Sequence, residues 1–365
     1  MGSPAVSVER QANNETEQSI HALMEYLKHD SFDAVMGVEI GGGNGILPLS
    51  IGSSKHYDRP VVDADWMGMY QSSFPFNIPD IHLFCVGRAY PTFWQTTICV
   101  YQPGELVPCC ILSGSGSTII MNKCASDELV DRALRASCAE MGSSVGLAAR
   151  PTTGDKMLRF GVLNTMSLAW RIGRCIARAN ASNTISTVAE QMIDEVGGPE
   201  SGKILFRGKI VAVERRLFKG HSYGEITIQQ VLKKEVESSV ADELPGEARR
   251  SSIPVATGGV LKIPFKNENI YAKHISNEGV EKYVATVPDL ICVLDTQSGK
   301  ALGVPEFRYG VMVTVLGIAC SPRWSDTERA LEIGGPGAFG YKDIKYVPLG
   351  KYVEPQSVVT EYAKR

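Results

Sequence analysis

Apolar positions along the chain change period about halfway, and that change predicts two kinds of architecture. In the first half, Ile20, Leu23, Met24 and Leu27 recur at helical spacing within 16–28, after an Asn/Glu/Thr stretch suited to a helix start. Phe32 to Ile40 is a short apolar run stopped by three glycines, and Arg59-Pro-Val-Val-Asp63 repeats that pattern, with a helix expected from Ile46 to Gly52 between them. Strand, helix, strand alternation of this kind predicts an open α/β sheet, in which ligands bind beyond the carboxyl ends of the strands. From Ile98 to Asn122 antiparallel strands are expected, turning at Gln102–Glu105 and Ser113–Ser117. Helices follow over 127–141 and over 163–196, the latter interrupted near Asn180–Asn183.

Gly197-Gly-Pro-Glu-Ser-Gly202 concentrates residues that break regular structure, and beyond it the period becomes that of short strands. Runs beginning at Ile204, Gly224, Gly259, Val284, Leu290 and Val311 predict a small barrel or sandwich. Lys233 to Ser252 is polar and charged, as an exposed excursion would be. The expected organisation is an α/β N-terminal domain over 1–198 and a β-rich C-terminal domain over 199–365.

Composition narrows the function. A chain of 365 residues with 44% hydrophobic and 21% charged residues can pack two cores, and its net charge of −3 supplies no field for nucleic acid or an anionic membrane. A small molecule or a protein is the expected partner, and a homo-oligomer is compatible. The nine cysteines show neither a CxxC pair nor regular spacing, and most lie in apolar runs, which argues for reduced thiols and a cytoplasmic location. No apolar stretch approaches the roughly 20 residues that span a bilayer.

The candidate chemistry lies at the two strand ends. Glu39 places a carboxylate before Gly41, Gly42 and Gly43, which let backbone approach a ligand closely, and Asn44 adds an amide that donates and accepts. The same segment also reads as a strand-to-helix turn with Asn44 as a cap. Asp63 and Asp65 offer oxygen ligands for a divalent metal such as zinc, or a general base, and equally a turn and a cap. His82 is a candidate ligand or acid/base group, with Asp63 as the second metal ligand. Thr153, in the turn Pro151–Lys156, can offer a hydroxyl to a substrate or cap a helix, and Cys320 is a candidate nucleophile if Arg323 stabilises its thiolate.

Taken in order, Met1-Gly-Ser-Pro, Glu39–Asn44, Pro60–Asp65, Leu205-Phe-Arg-Gly-Lys-Ile210, Asn267-Glu-Asn269, Val287-Pro-Asp-Leu-Ile291, Arg308-Tyr-Gly310 and Cys320-Ser-Pro-Arg-Trp324 resemble the S-methyl-thiohydantoin desulfurase family along nearly the whole chain. The resemblance implies an α/β domain followed by a β-rich one, and hydrolytic removal of a sulfur substituent from a thiohydantoin-like ring. It also implies a setting beside hydantoinase/oxoprolinase-type proteins, so the alternative expectation is a non-catalytic subunit or scaffold for such a partner. Members of that family usually carry a further segment with a Thr-Gly-Gly-Gly-Gly turn ahead of the position matching Met1. If that turn lines the pocket, the expectation is a partial gene product, a subunit completed by another chain, or an inactive relative.

Overall fold

The computed structural model describes residues 1–2, 14–41, 43–68, 70–72, 85–87, 90–218, 221–231 and 253–363. Helix α1 (Glu15–Leu27) buries Leu23 on a face formed with Cys110 and Ala148, as its spacing predicts. The run from Phe32 to Ile40 forms no regular strand. It meets the next expected strand at one parallel bridge, Val35 to Val61, on either side of α2 (Gly43–Gly52). Among the described residues, parallel pairing in the first half is thus reduced to a few hydrogen bonds, and the strand pairs there are antiparallel.

Strand β1 (Ala64–Asp65) pairs with a distant two-residue strand, and β2 (Tyr70–Ser72) pairs with β3 (Cys85–Gly87). The expected strand at Ile98 is instead helix α3 (Thr97–Tyr101). Thr96 caps it, its side chain accepting from the Cys99 N–H, and the Thr97 N–H donates to the Trp66 carbonyl at 2.7 Å. A local cap and a tertiary hydrogen bond override the β propensity of Ile98, Cys99 and Val100. Strands β4 (Cys109–Ser113) and β5 (Thr118–Met121) form the expected hairpin through Ser113–Ser117.

Helix α4 (Asp127–Glu140) is capped by Ser126 and turns Val130, Leu134 and Cys138, four residues apart, into the core. Strand β6 (Val145–Ala148) then pairs with the free edge of β4. Gly146 is required there, because a Cβ would stand 2.2 Å from the Glu15 carbonyl oxygen of α1. Helix α5 (Gly154–Phe160) precedes β7 (Val162–Leu163), the partner of β1. Helices α6 (Thr165–Ala181) and α7 (Val188–Glu195) form the long expected helical stretch, with its expected interruption falling after Ala181.

The second half is one antiparallel sheet. Its strands are β8 (Gly202–Phe218), β9 (His221–Gln229), β10 (Val260–Lys266), β11 (Glu268–Asn269), β12 (Tyr271–Ile275), β13 (Glu281–Thr286), β14 (Leu290–Asp295) and β15 (Met312–Ile318). Their order is β13-β12-β10-β9-β8-β15-β14, with β11 on β10. One face gathers Phe206, Ile226, Ile263, Ile291, Val293 and Val315 into a core. On β14 the alternate residues Leu290, Cys292 and Leu294 face the other way, against Leu168, Ile172 and Met192 of α6 and α7. This double burial explains the unbroken apolar run at 290–294. It also means that a division at 198/199 separates α6 and α7 from the sheet they cover.

The chain then returns to the first half through α8 (Glu328–Gly334), where Trp324 and Ile333 pack with Met67, Tyr90 and Val100. A short helix, α9 (Val358–Tyr362), follows. Residues 3–9 and the excursion at Lys233–Ser252 lie outside the described residues. Among the described residues no helix is long and apolar enough to cross a membrane.

Candidate active site

Backbone hydrogen bonds bring the acidic strand ends together. The Val35 N–H donates to the Pro60 carbonyl at 2.9 Å, the Val62 N–H to the Val35 carbonyl at 2.8 Å, and the Trp66 N–H to the Val38 carbonyl at 3.0 Å. The two segments therefore run side by side in one direction, and Glu39 and Asp63 emerge at the same end. Beyond it lies a cavity of about 2150 Å³, lined by Glu39, Gly41, Gly43, Asn44, Asp63 and Thr153. Its volume exceeds the roughly 300–1,000 Å³ usual for a small-ligand pocket. The β-rich half contributes to its wall through Asn267 and Glu306.

Glu39 closes its own turn, since its carboxylate accepts from the Gly41 N–H and from the Asn44 side-chain amide. Its carboxyl is pushed up to about 7 by burial, against the opposing pull of those two hydrogen bonds. A carboxyl in that range exchanges protons at neutral pH in both directions.

Asp63 is on the cavity wall, but both of its oxygens are engaged. Oδ1 accepts from the Ser167 N–H at 3.0 Å and Oδ2 from the Ser167 hydroxyl, so Asp63 caps the first turn of α6 from 104 residues away. Asp65 does not line the cavity. Wholly buried behind it, Asp65 holds the Met67 N–H at 2.7 Å and the Gly68 N–H at 2.5 Å with Oδ1, in a turn where Gly68 takes a φ of +75°. Burial pushes Asp65 up to about 6, and its Oδ2 and the neighbouring Thr165 hydroxyl are both buried without a completed hydrogen bond.

A proton is thus held more tightly on Asp65 in the folded chain than in the unfolded one. Its contribution to stability is full below about pH 4 and is lost as pH rises through about 6. Asp65→Asn keeps the Oδ1 acceptor and offers Thr165 a donor. Urea unfolding is expected to show this variant gaining stability over the wild type between pH 5 and pH 8. An equal difference at both pH values would contradict the assignment.

Thr153 reaches the cavity while its hydroxyl accepts from the Lys156 N–H at 3.3 Å, the cap of α5. Gly42 and His82 lie outside the described residues. Among the described residues no group of three or more His, Cys, Asp or Glu is placed to hold a metal, and both Asp63 oxygens already accept from Ser167. No chemical step is built on a divalent ion. Cys320 is buried beside Asp289 and Tyr346. Burial first and the Asp289 carboxylate second push its thiol up, while the Arg323 guanidinium lies 6.0 Å from the Tyr101 ring. The thiolate stabilisation expected from Arg323 is therefore replaced by the opposite influence.

Arg135 is a cavity-wall residue that the sequence did not single out. Asp131, one turn earlier, holds it at 3.0 and 3.2 Å, and it donates to the Pro91 carbonyl at 2.9 Å. The readable signal was an Asp/Arg pair four residues apart on the buried side of α4.

Fold and site together define a two-domain protein in which a mixed helix and strand portion presents a carboxylate-lined cavity beside a curled antiparallel sheet. The family model described as "S-Me-THD-like, N-terminal domain" matches residues 1–69 and 69–123, and "S-Me-THD-like, C-terminal domain" matches 125–349; the chain belongs to this family. Its fold is similar to the X-ray structure of a protein from Chromobacterium violaceum, at 17% identity over 96% of this chain and 82% of that one, with a TM-score of 0.64. At that identity the likeness concerns fold alone. No curated protein matches the chain.

Proposed function

We propose that the chain is a hydrolase-type desulfurase, acting on an S-substituted thiohydantoin or related cyclic amide to release a thiol and leave a hydantoin. The observation that carries this reading is the opening of Glu39, Asp63 and the glycine-lined turn onto one cavity. Family membership supports the substrate class.

Glu39 is the proton carrier in this reading. As its carboxylate takes a proton from water, the water oxygen bonds to the ring carbon bearing sulfur, and the C=N electron pair moves to nitrogen. Glu39 returns that proton to the nitrogen. It then takes the second proton from the new hydroxyl as C=O forms and the C–S bond breaks, and delivers it to sulfur, which leaves as the thiol. One water is consumed, and one ring N–H and one thiol appear. Asn44, Gly41, Gly43 and Thr153 are the proposed contacts to the ring, and Asp63 orients the water.

A second reading, a non-catalytic subunit for a hydantoinase/oxoprolinase-like partner, is favoured by one observation. Asp63, Asp65 and Thr153 all hold backbone N–H groups of their own chain. The two separate in one assay: purified protein, with and without chelator, is incubated with S-methyl-thiohydantoin while thiol release is followed. Turnover insensitive to chelator is expected. A folded sample that releases no thiol under either condition would remove the catalytic reading and leave the partner one.

A further inference from the structure

The cap on Asp63 continues beyond Ser167 into the last part of the chain. The Val358 N–H, at the start of α9, donates to Ser167 Oγ at 2.8 Å, and that hydroxyl donates to Asp63 Oδ2. Ser167 itself is 1% exposed. A serine hydroxyl has one proton, and in a helix its habitual acceptor is the carbonyl four residues back, here Leu163. The Val358 N–H occupies a lone pair of Ser167 Oγ, and the proton goes to Asp63 instead.

Segment 349–362 is fastened at both ends. At its start, the Leu349 N–H donates to Asp289 Oδ2 at 2.7 Å, the Ser201 hydroxyl donates to the Lys351 carbonyl at 2.6 Å, and Gly350 passes so near Glu200 that a Cβ would stand 1.9 Å from its carbonyl oxygen. At its end, Arg171 of α6 donates to Glu361, and Arg174 donates to the Tyr362 hydroxyl at 2.9 Å while lying 4.5 Å over the Trp170 ring. This clasp fixes where Val358 presents its N–H.

We propose that Ser167 is a positioning residue for Asp63, and that the strap ending in α9 sets its hydroxyl, so that docking of the strap on α6 holds the Asp63 carboxylate in the orientation the cavity uses. This rests on the desulfurase reading, in which Asp63 orients the attacking water. The relay also makes a structural statement about Asp63 that is independent of turnover.

The test uses the full chain, Ser167→Ala, Ser167→Thr, a deletion of 357–365, and the deletion combined with Ser167→Ala, all checked for folding by circular dichroism. With S-methyl-thiohydantoin, Ser167→Ala and the deletion are each expected to lower kcat about tenfold, the loss of one charge-assisted hydrogen bond, with KM little changed. The combination should lose no more than either alone, as for groups acting in one relay, and Ser167→Thr should restore most of the rate. In protein labelled with carbon-13 at aspartate carboxyls, the signal that disappears in Asp63→Asn should shift alike in Ser167→Ala and the deletion.

Wild-type rates in Ser167→Ala, or losses that multiply in the combined variant, would overturn the relay. If the wild type releases no thiol, the desulfurase reading fails. The carboxyl signal then still decides the relay: a common shift supports it, and an unmoved signal overturns it.

Discussion

Glu39→Gln is expected to lower thiol release by about 10²- to 10⁴-fold, the usual contribution of a positioned acid/base group, while the protein remains folded. The turn should survive because Gln offers one acceptor to the Gly41 N–H, and the Asn44 amide can rotate to present its oxygen to the new NH₂ group. What is lost is proton exchange. Burial holds the Glu39 carboxyl near 7, so the wild type has a substantial fraction of both forms at neutral pH. The first step needs the carboxylate, and kcat/KM is therefore expected to rise with pH through about 7, with that limb missing in the Gln variant. Turnover within a few-fold of wild type, with the limb intact, would move the proton carrier elsewhere.

The sequence made the Glu39 wall legible for a physical reason: each acid directly follows a short apolar run, and two such runs placed side by side must deliver both acids to one end. The structure keeps that juxtaposition although the runs share only a bridge and a few hydrogen bonds. Helix α4 and the doubly buried strand β14 were equally readable, because Val130, Leu134 and Cys138 keep one helical face and 290–294 is apolar throughout. Where the reading departed from the structure, distant groups decided. Ile98–Val100 became helical through Thr96 and the Trp66 carbonyl, and the short strand at Val145 exists because β4 left an edge open and Gly146 lets α1 pass. Asp63 could be read as ligand, base or cap, and its capping partner Ser167 is 104 positions away. Periodicity reports which face is buried; it does not report which distant side chain meets it.

The joint between the halves carries the largest expected effect on stability. Trp324 is 2% exposed, its ring centroid lies 4.4 Å from that of Tyr90, and its Nε1–H donates to the Met67 carbonyl at 2.8 Å. Gly334 packs so closely on this indole that a Cβ would stand 2.6 Å from it, so the neighbouring helix has been fitted to the ring. Trp324→Ala is expected to cost about 3–5 kcal/mol, through the vacated volume and the Met67 carbonyl left without its donor. Trp324→Phe, which retains most of the ring but not the N–H, should cost less, about 1–3 kcal/mol. Urea unfolding of the two variants separates packing from hydrogen bonding, and wild-type stability in Trp324→Ala would refute the joint. The consequence reaches the cavity because Met67 lines it and belongs to the turn that Asp65 organises. Trp324→Ala should therefore also raise KM for the thiohydantoin more than Trp324→Phe does, even under conditions where both variants are fully folded.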